Sequence, residues 1–216
     1  WGDADMINIY DENGNFIEPS AANQMPVGAS YTRLMQNTGF NFAIPFSSMH
    51  QYVREDSHHM NKFCTPLDRF SENFNDTYGE LLPAFIRWDS VKEDFVKIEC
   101  KKKEIKPIPI IEFLDNNSDE LDNHDKKKLE HYFRTFKSLP SHFGSVVFIV
   151  GNNEFEIKLS DKKAQVRFEA PRHSLMQAVN FEIFDDMLIG NFMKTTLVNT
   201  KSLYPYFTPI VTKYGD

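Results

Sequence analysis

The chain has 216 residues, 41% of them apolar and 25% charged. That balance excludes a wholly disordered or collagen-like chain and can supply the core of one large domain or two small ones. A net charge of -7 disfavours nucleic acid as a partner, and the absence of an uninterrupted apolar run of roughly 18 residues excludes an ordinary transmembrane helix. Two cysteines, Cys64 and Cys100, are too few for a disulfide framework or a four-cysteine zinc site, and they predict free thiols and a cytoplasmic location.

The N-terminal stretch reads as strand, turn, strand. Met6 to Tyr10 alternates, Asp11-Glu12-Asn13-Gly14-Asn15 turns, and Phe16-Ile17 resumes the apolar pattern. Asn-Gly readily takes positive φ, which makes this the strongest hairpin signal in the chain. Pro19 to Ser30 reads as a loop. Tyr31, Leu34 and Met35 have helical spacing, and Gly39 can end that helix. Phe40 to Phe46, closed by Pro45, predicts a buried strand that delivers residues 47–59 to a loop. From Pro66 to Tyr78 the pattern is loop and short helix. Leu81 to Trp88 reads as helix or strand, and Asp94 to Glu99 alternates weakly.

In the C-terminal half, Leu129, Tyr132, Phe133 and Phe136 share one face of a helix expected over 126–138, with Asp119, Glu120 or Asp122 to cap it. The apolar run Val146 to Val150, the alternating Phe155, Ile157 and Leu159, and the alternating Val166, Phe168 and Ala170 predict an antiparallel meander over 145–170. Helices follow from Ser174 and from Asp185-Asp186, the latter pair as a cap. Gly190-Asn191 reads as a packing or kink feature, and Leu203 to Val211, with its prolines, as extended. The fold class is α+β, mixed α/β, with the meander packed on helices. The expected division is 1–110, carrying the histidine-rich loop, and 111–216.

Chemistry concentrates after Phe46. Within Ser47 to His59 stand His50, His58 and His59 as candidate metal ligands, Asp56 to ligate or orient them, and Arg54 as a fork for an anionic substrate. Arg54 and Asp56 are the candidate catalytic pair. Asp3 and Asp5, two apart, face one way if extended and are further candidate ligands. The bland alternative is a polar surface loop whose histidines are incidental. A second alternative places function in an apolar cavity lined by residues such as Phe155, Phe168, Leu188 and Phe192.

The segment Ile44-Pro45-Phe46-Ser47-Ser48-Met49-His50-Gln51-Tyr52-Val53-Arg54-Glu55-Asp56-Ser57, with Asn61 and Thr65-Pro66 after it, resembles a late segment of metallo-β-lactamase-fold proteins of the CMP-N-acetylneuraminate hydroxylase-like group. Residues 144–198, ending Phe184-Asp185-Asp186-Met187-Leu188-Ile189-Gly190-Asn191-Phe192, resemble the small sterol-carrier-like domain that trails some of those enzymes. The family's H-x-H-x-D-H signature is absent from these residues. The resemblance therefore implies the C-terminal portion of a metal-dependent hydrolase or oxygenase, incomplete alone, with upstream sequence supplying that signature. It implies zinc or iron in the full-length protein, no tight metal in this piece, and His50, Asp3 and Arg54 at the site or its rim. The ends, Trp1 and Lys213-Tyr214-Gly215-Asp216, also read as cuts in a longer polypeptide. The alternative function is a non-enzymatic binding module for an apolar or lipid-like ligand or a protein partner. The partner expected on either reading is an anionic or apolar small molecule.

Overall fold

A computed structural model describes residues 6–18, 26–46, 51–99, 104–213 and 215. The elements in chain order are β1 (Ile9–Asp11), α1 (Val27–Thr38), β2 (Phe42–Ala43), β3 (Glu80–Leu81), β4 (Ile86–Asp89), β5 (Asp94–Lys97), α2 (Asn123–Thr135), β6 (Ser145–Val150), β7 (Asn153–Lys158), β8 (Gln165–Glu169), α3 (Arg172–Phe181), α4 (Phe184–Gly190) and β9 (Lys194–Val198). The class is α+β. The described parts of 20–51 and 62–106 form one compact unit, and those of 5–19, 52–61 and 107–216 form another. The sequence reading cut the chain once, near residue 110. In the structure the N-terminal hairpin and the 52–61 excursion join the C-terminal unit.

The smaller unit is built from short pieces. Helix α1 begins at Val27, inside the stretch read as a loop, because Pro26 supplies an extended entry and the helix packs closely on residues 71–74. A Cβ on Gly28 would sit 2.4 Å from the Glu72 carbonyl oxygen. Gly39, in the left-handed region, ends the helix as expected, its N–H donating to the Met35 carbonyl at 2.8 Å. The expected buried strand over 40–46 shrinks to β2, paired in parallel with β3, while Phe40 and Phe46 are exposed. The Leu81 to Trp88 region is strand rather than helix, and β4 with β5 makes an antiparallel hairpin.

The larger unit holds a five-stranded sheet in the order β1-β9-β8-β6-β7. Strand β6 is buried on both faces, as its unbroken apolar run requires of a central strand. It pairs antiparallel with β7 and parallel with β8. The expected meander is thus corrected: β8 does not add beside β7 but crosses to the far side of β6. The crossing, residues 159–164, wraps Gly144. Gly144 N–H donates to the Ala164 carbonyl at 2.7 Å, and its own carbonyl accepts from Leu159 and Ser160 at 2.7 and 3.0 Å. A Cβ at Gly144 would lie 1.8 Å from the Lys162 carbonyl oxygen. Strand β9, absent from the sequence reading, pairs antiparallel with β8 and parallel with β1. The N-terminal hairpin forms as read, with Gly14 at φ 80° and a Tyr10–Phe16 bridge.

Helix α2 starts and ends three residues earlier than the expected 126–138, because Asp122 closes a capping box with Asp125. Leu129, Tyr132, Phe133 and Phe136 face the core as read. Asp185 and Asp186 lie within the first turn of α4, after Ile183 at the cap position, so they act on the helix dipole from inside the helix. Burial nevertheless raises the pKa of Asp185. Residues 203–211 are turns rather than extended chain, since Phe207 N–H donates to Leu203 and Val211 N–H to Phe207 at 2.7 and 3.1 Å. Those three apolar side chains are buried in the core cluster, where Phe207 packs on Phe143, Phe168 and Phe184.

Gly144→Ala is expected to destabilise the chain by about 3 kcal/mol, because its Cβ meets backbone rather than a movable side chain. Gly14→Ala, at a positive φ with nothing within 4 Å of the added carbon, should cost about 1 kcal/mol. Urea unfolding of both variants checks the order; a mild effect at Gly144 would contradict the tight crossing.

Candidate functional site

The histidine-rich stretch is only partly open to description. Asp3, Asp5 and His50 lie outside the described residues. His58 and His59 begin a two-turn 3₁₀ helix, His58–Phe63, with His58 half-buried and His59 exposed. Successive residues on such a helix point roughly 120° apart, so these two rings share no face. Among the described residues, no three histidine, cysteine, aspartate or glutamate side chains stand together as a metal would need. Asn61 holds this turn: its Oδ1 accepts from Tyr52 N–H at 2.8 Å, and its Nδ2 donates to the Tyr52 and His58 carbonyls at 2.8 and 2.9 Å.

Arg54 and Asp56 do meet, but in a closed ion-pair cluster. Residues 53–55 pair with Ile108, which fixes the backbone on which Arg54 sits. The guanidinium donates from Nη2 and Nε to the two oxygens of Asp56 at 2.8 and 3.0 Å. Its Nη1 donates to Asp115 Oδ2 at 2.8 Å. It lies between two rings, 4.7 Å from the Phe113 centroid and 4.1 Å from that of Phe192. Asp115 is wholly buried, and its Oδ1 also accepts from Ser174 N–H at 2.9 Å in the first turn of α3. The Ser174 hydroxyl donates to Asp115 Oδ2 as well. Burial opposes the charge of Arg54, but hydrogen bonds to Asp56 and Asp115 outweigh it and raise its pKa. The fork that the sequence assigned to an incoming anion is occupied by the chain's own carboxylates.

A second buried cluster centres on Asn191, in the left-handed region at φ 57° after α4. Its Oδ1 accepts from Ile7 and Asn8 N–H at 2.6 and 3.1 Å, and its Nδ2 donates to the Tyr52 hydroxyl at 2.8 Å and the Ile189 carbonyl at 3.0 Å. This bears out a packing role for Gly190-Asn191. The apolar side chains suggested as a cavity lining belong to the core: Phe168 packs on Phe148, Phe184 and Phe207, Leu188 is buried, and Phe155 and Phe192 are partly buried against the same cluster.

A concavity lies elsewhere, along the flank of α2 where its core-facing side meets the surface. A groove of about 550 Å³ runs between α2, the C-terminal end of α3 and the residues Thr212, Lys213 and Gly215. That volume falls in the range of small-molecule sites. Tyr132, Phe136 and Val179 line its floor and are buried. His124, Lys127, Lys128 and His131 line one rim, at positions that share a face of α2. Thr135, Asn180, Glu182, Thr212 and Lys213 complete the lining. Lys128 Nζ donates to Asn180 Oδ1 at 2.9 Å, tying the two helices across the groove. The sequence reading used α2 only for its apolar face. The signal it passed over was the recurrence of His and Lys at 124, 127, 128 and 131 on one stripe.

Comparison with protein-family models, curated proteins and solved structures gives no match.

Asp115→Ala should lower the unfolding free energy by roughly 3–5 kcal/mol, the usual effect of stranding one member of a buried ion pair. Asp56, whose side chain is 26% exposed, is expected to matter less, about 1 kcal/mol on removal. Urea unfolding of both variants measures this; equal small losses would show that Arg54 does not need Asp115. In the groove floor, burial pushes the Tyr132 hydroxyl from 10.0 up to about 12, with Asp185 and Glu182 adding to the rise. The folded chain therefore keeps this proton where the unfolded chain releases it. Its contribution to stability is complete below the unfolded value and falls as pH rises through the 10.0-to-12 window. Unfolding titrations of the wild type and Tyr132→Phe should diverge across that window, with the wild type losing more; parallel curves would remove Tyr132 as the cause.

Proposed function

We propose that the chain is a non-enzymatic binding module, with the α2–α3 groove as the site of an apolar or lipid-like small molecule. The observation that carries this reading is a concavity whose floor is formed by buried aromatic and aliphatic side chains, Tyr132, Phe136 and Val179, at the edge of the core to which they belong. Such a floor rewards an apolar occupant by the area it takes from water, about 25 cal/mol per Å². No helix among the described residues is long and apolar enough to cross a membrane. A cytoplasmic setting, which the scarcity of cysteine favours, belongs to the same proposal.

The metal-dependent hydrolase or oxygenase reading assigns the chemistry to residues beyond this chain. It asks of Arg54 a free fork, and the cluster with Asp56 and Asp115 speaks against that use. Metal analysis of the longest natural polypeptide containing this chain decides it: stoichiometric zinc or iron supports an enzyme, and metal-free protein with a filled groove supports a binding module.

Titration with an uncharged solvatochromic dye such as Nile red tests the groove. Saturable binding at one site is expected. Thr135→Trp, which places a large side chain at an exposed lining position of α2, should weaken binding by about tenfold or more, roughly 1.4 kcal/mol, with helical circular dichroism unchanged. Non-saturable binding, or a Thr135→Trp variant that binds as well as the wild type, would overturn the assignment.

A further inference from the structure

Two properties of the groove do not suit a purely apolar occupant. Its floor is apolar, but its rim carries Lys127, Lys128 and Lys213, with His124 and His131 beside the lysines, against one lining carboxylate among the described residues, Glu182. This happens on a chain whose net charge is -7, so the local sign opposes the sign of the whole. A solvated helix face would serve solubility with either sign. Here the cations stand over a concavity, where low-dielectric walls strengthen their field on anything seated inside.

The cations also enter from more than one element. Lys127 and Lys128 stand on α2, and Lys213 on the C-terminal segment. Lys128 is held by the neutral Asn180 amide oxygen at 2.9 Å rather than by a carboxylate. An ammonium has three donor hydrogens, so a bond to Asn180 positions Lys128 while leaving donors for a ligand. The opposing charges are Glu182 in the lining and Asp185, whose field reaches Tyr132. They tend to keep an anion towards the α2 rim and away from the α3–α4 junction. Tyr132, raised to about 12, stays neutral at ordinary pH and presents a ring and a hydroxyl, not a phenolate that would repel an acid.

We infer that the groove selects an acid-headed amphipathic small molecule, its apolar body on Tyr132, Phe136 and Val179 and its carboxylate or phosphate head among Lys127, Lys128 and Lys213. This rests on the reading of the groove as a ligand site and adds the chemical class of the ligand. The bond types fit. A lysine ammonium and an ionised acid make charge-assisted hydrogen bonds, roughly twice as strong as neutral ones, whereas an alcohol head of the same length gains no such term. The groove is also too small, and its cations too few, for a nucleic-acid backbone to be the natural occupant.

The test uses three probes of one chain length: decanoate, decyl phosphate and 1-decanol, titrated calorimetrically into the 216-residue chain. The two acids are expected to bind at least about tenfold more tightly than the alcohol. The preference should shrink as salt is raised, since added ions screen the lysines at these exposed positions. Lys127→Glu combined with Lys213→Glu should abolish the preference, the two acids then binding no more tightly than 1-decanol. Both positions are exposed, and circular dichroism confirms that the variant folds. If all three probes bind equally, or the double variant keeps the preference, the assignment of an acidic head is overturned while the groove reading stands. If none of the three binds, the groove reading fails and this inference falls with it. Which acid binds more tightly identifies the head group as carboxylate or phosphate.

Discussion

The guanidinium of Arg54 ties distant stretches of the larger unit together. It is inside the unit, flanked by Phe113 and Phe192, and it cannot lose its charge. A buried cation with no partner would cost several kcal/mol, so folding requires Asp115 and Asp56 to arrive where they do. Asp115 in turn receives the first turn of α3 through Ser174. Three stretches far apart in sequence, 52–61, 107–115 and the start of α3, are therefore set by one ion-pair cluster. The far end of α3 carries Val179 and Asn180 to the groove. The position of the groove thus follows from an interaction at the opposite end of the same helix.

The local features of the fold were legible because their causes are local. Gly14 and Gly39 are needed at positive φ by the turn and the helix end they make. Leu129, Tyr132, Phe133 and Phe136 recur at the helical period, and β6 from Val146 to Val150 is apolar because both its faces are largely buried. The order of strands was not legible. Alternation in Val166 and Phe168 says that β8 has a buried face, but it is silent on which strand stands beside it. That is decided by whether the 159–164 crossing can pass over Gly144, a contact between backbones. Strand β9 escaped for a related reason: its partner β1 lies near the opposite end of the chain, and Lys194-Thr195-Thr196 has too little apolar character to announce a strand.

The candidate site shows the same division. A dense polar stretch in sequence marks either an open site or a closed structural cluster, and the residues needed to tell them apart are distant. Arg54 and Asp56 looked free because Asp115, Phe113 and Phe192 are remote in sequence. Asn191 looked unremarkable because its partners Ile7, Asn8 and Tyr52 are remote as well. The basic stripe on α2 was visible as letters but meant little until α3, Thr212, Lys213 and Gly215 made it the wall of a concavity.

The two polar assemblies then divide the work by what closes them. At Arg54 each charge meets an opposite charge, no buried side-chain polar atom among the described residues is left without a partner, and the outcome is rigidity. Along the groove, lysines outnumber lining carboxylates among the described residues, the floor is apolar, and the surfaces on either side are drawn from separate elements. Closed electrostatics hold a fold together because nothing further can be gained by adding a ligand. Uncompensated charge over an apolar hollow is the reverse case: the favourable partner is missing from the chain itself and has to come from outside it.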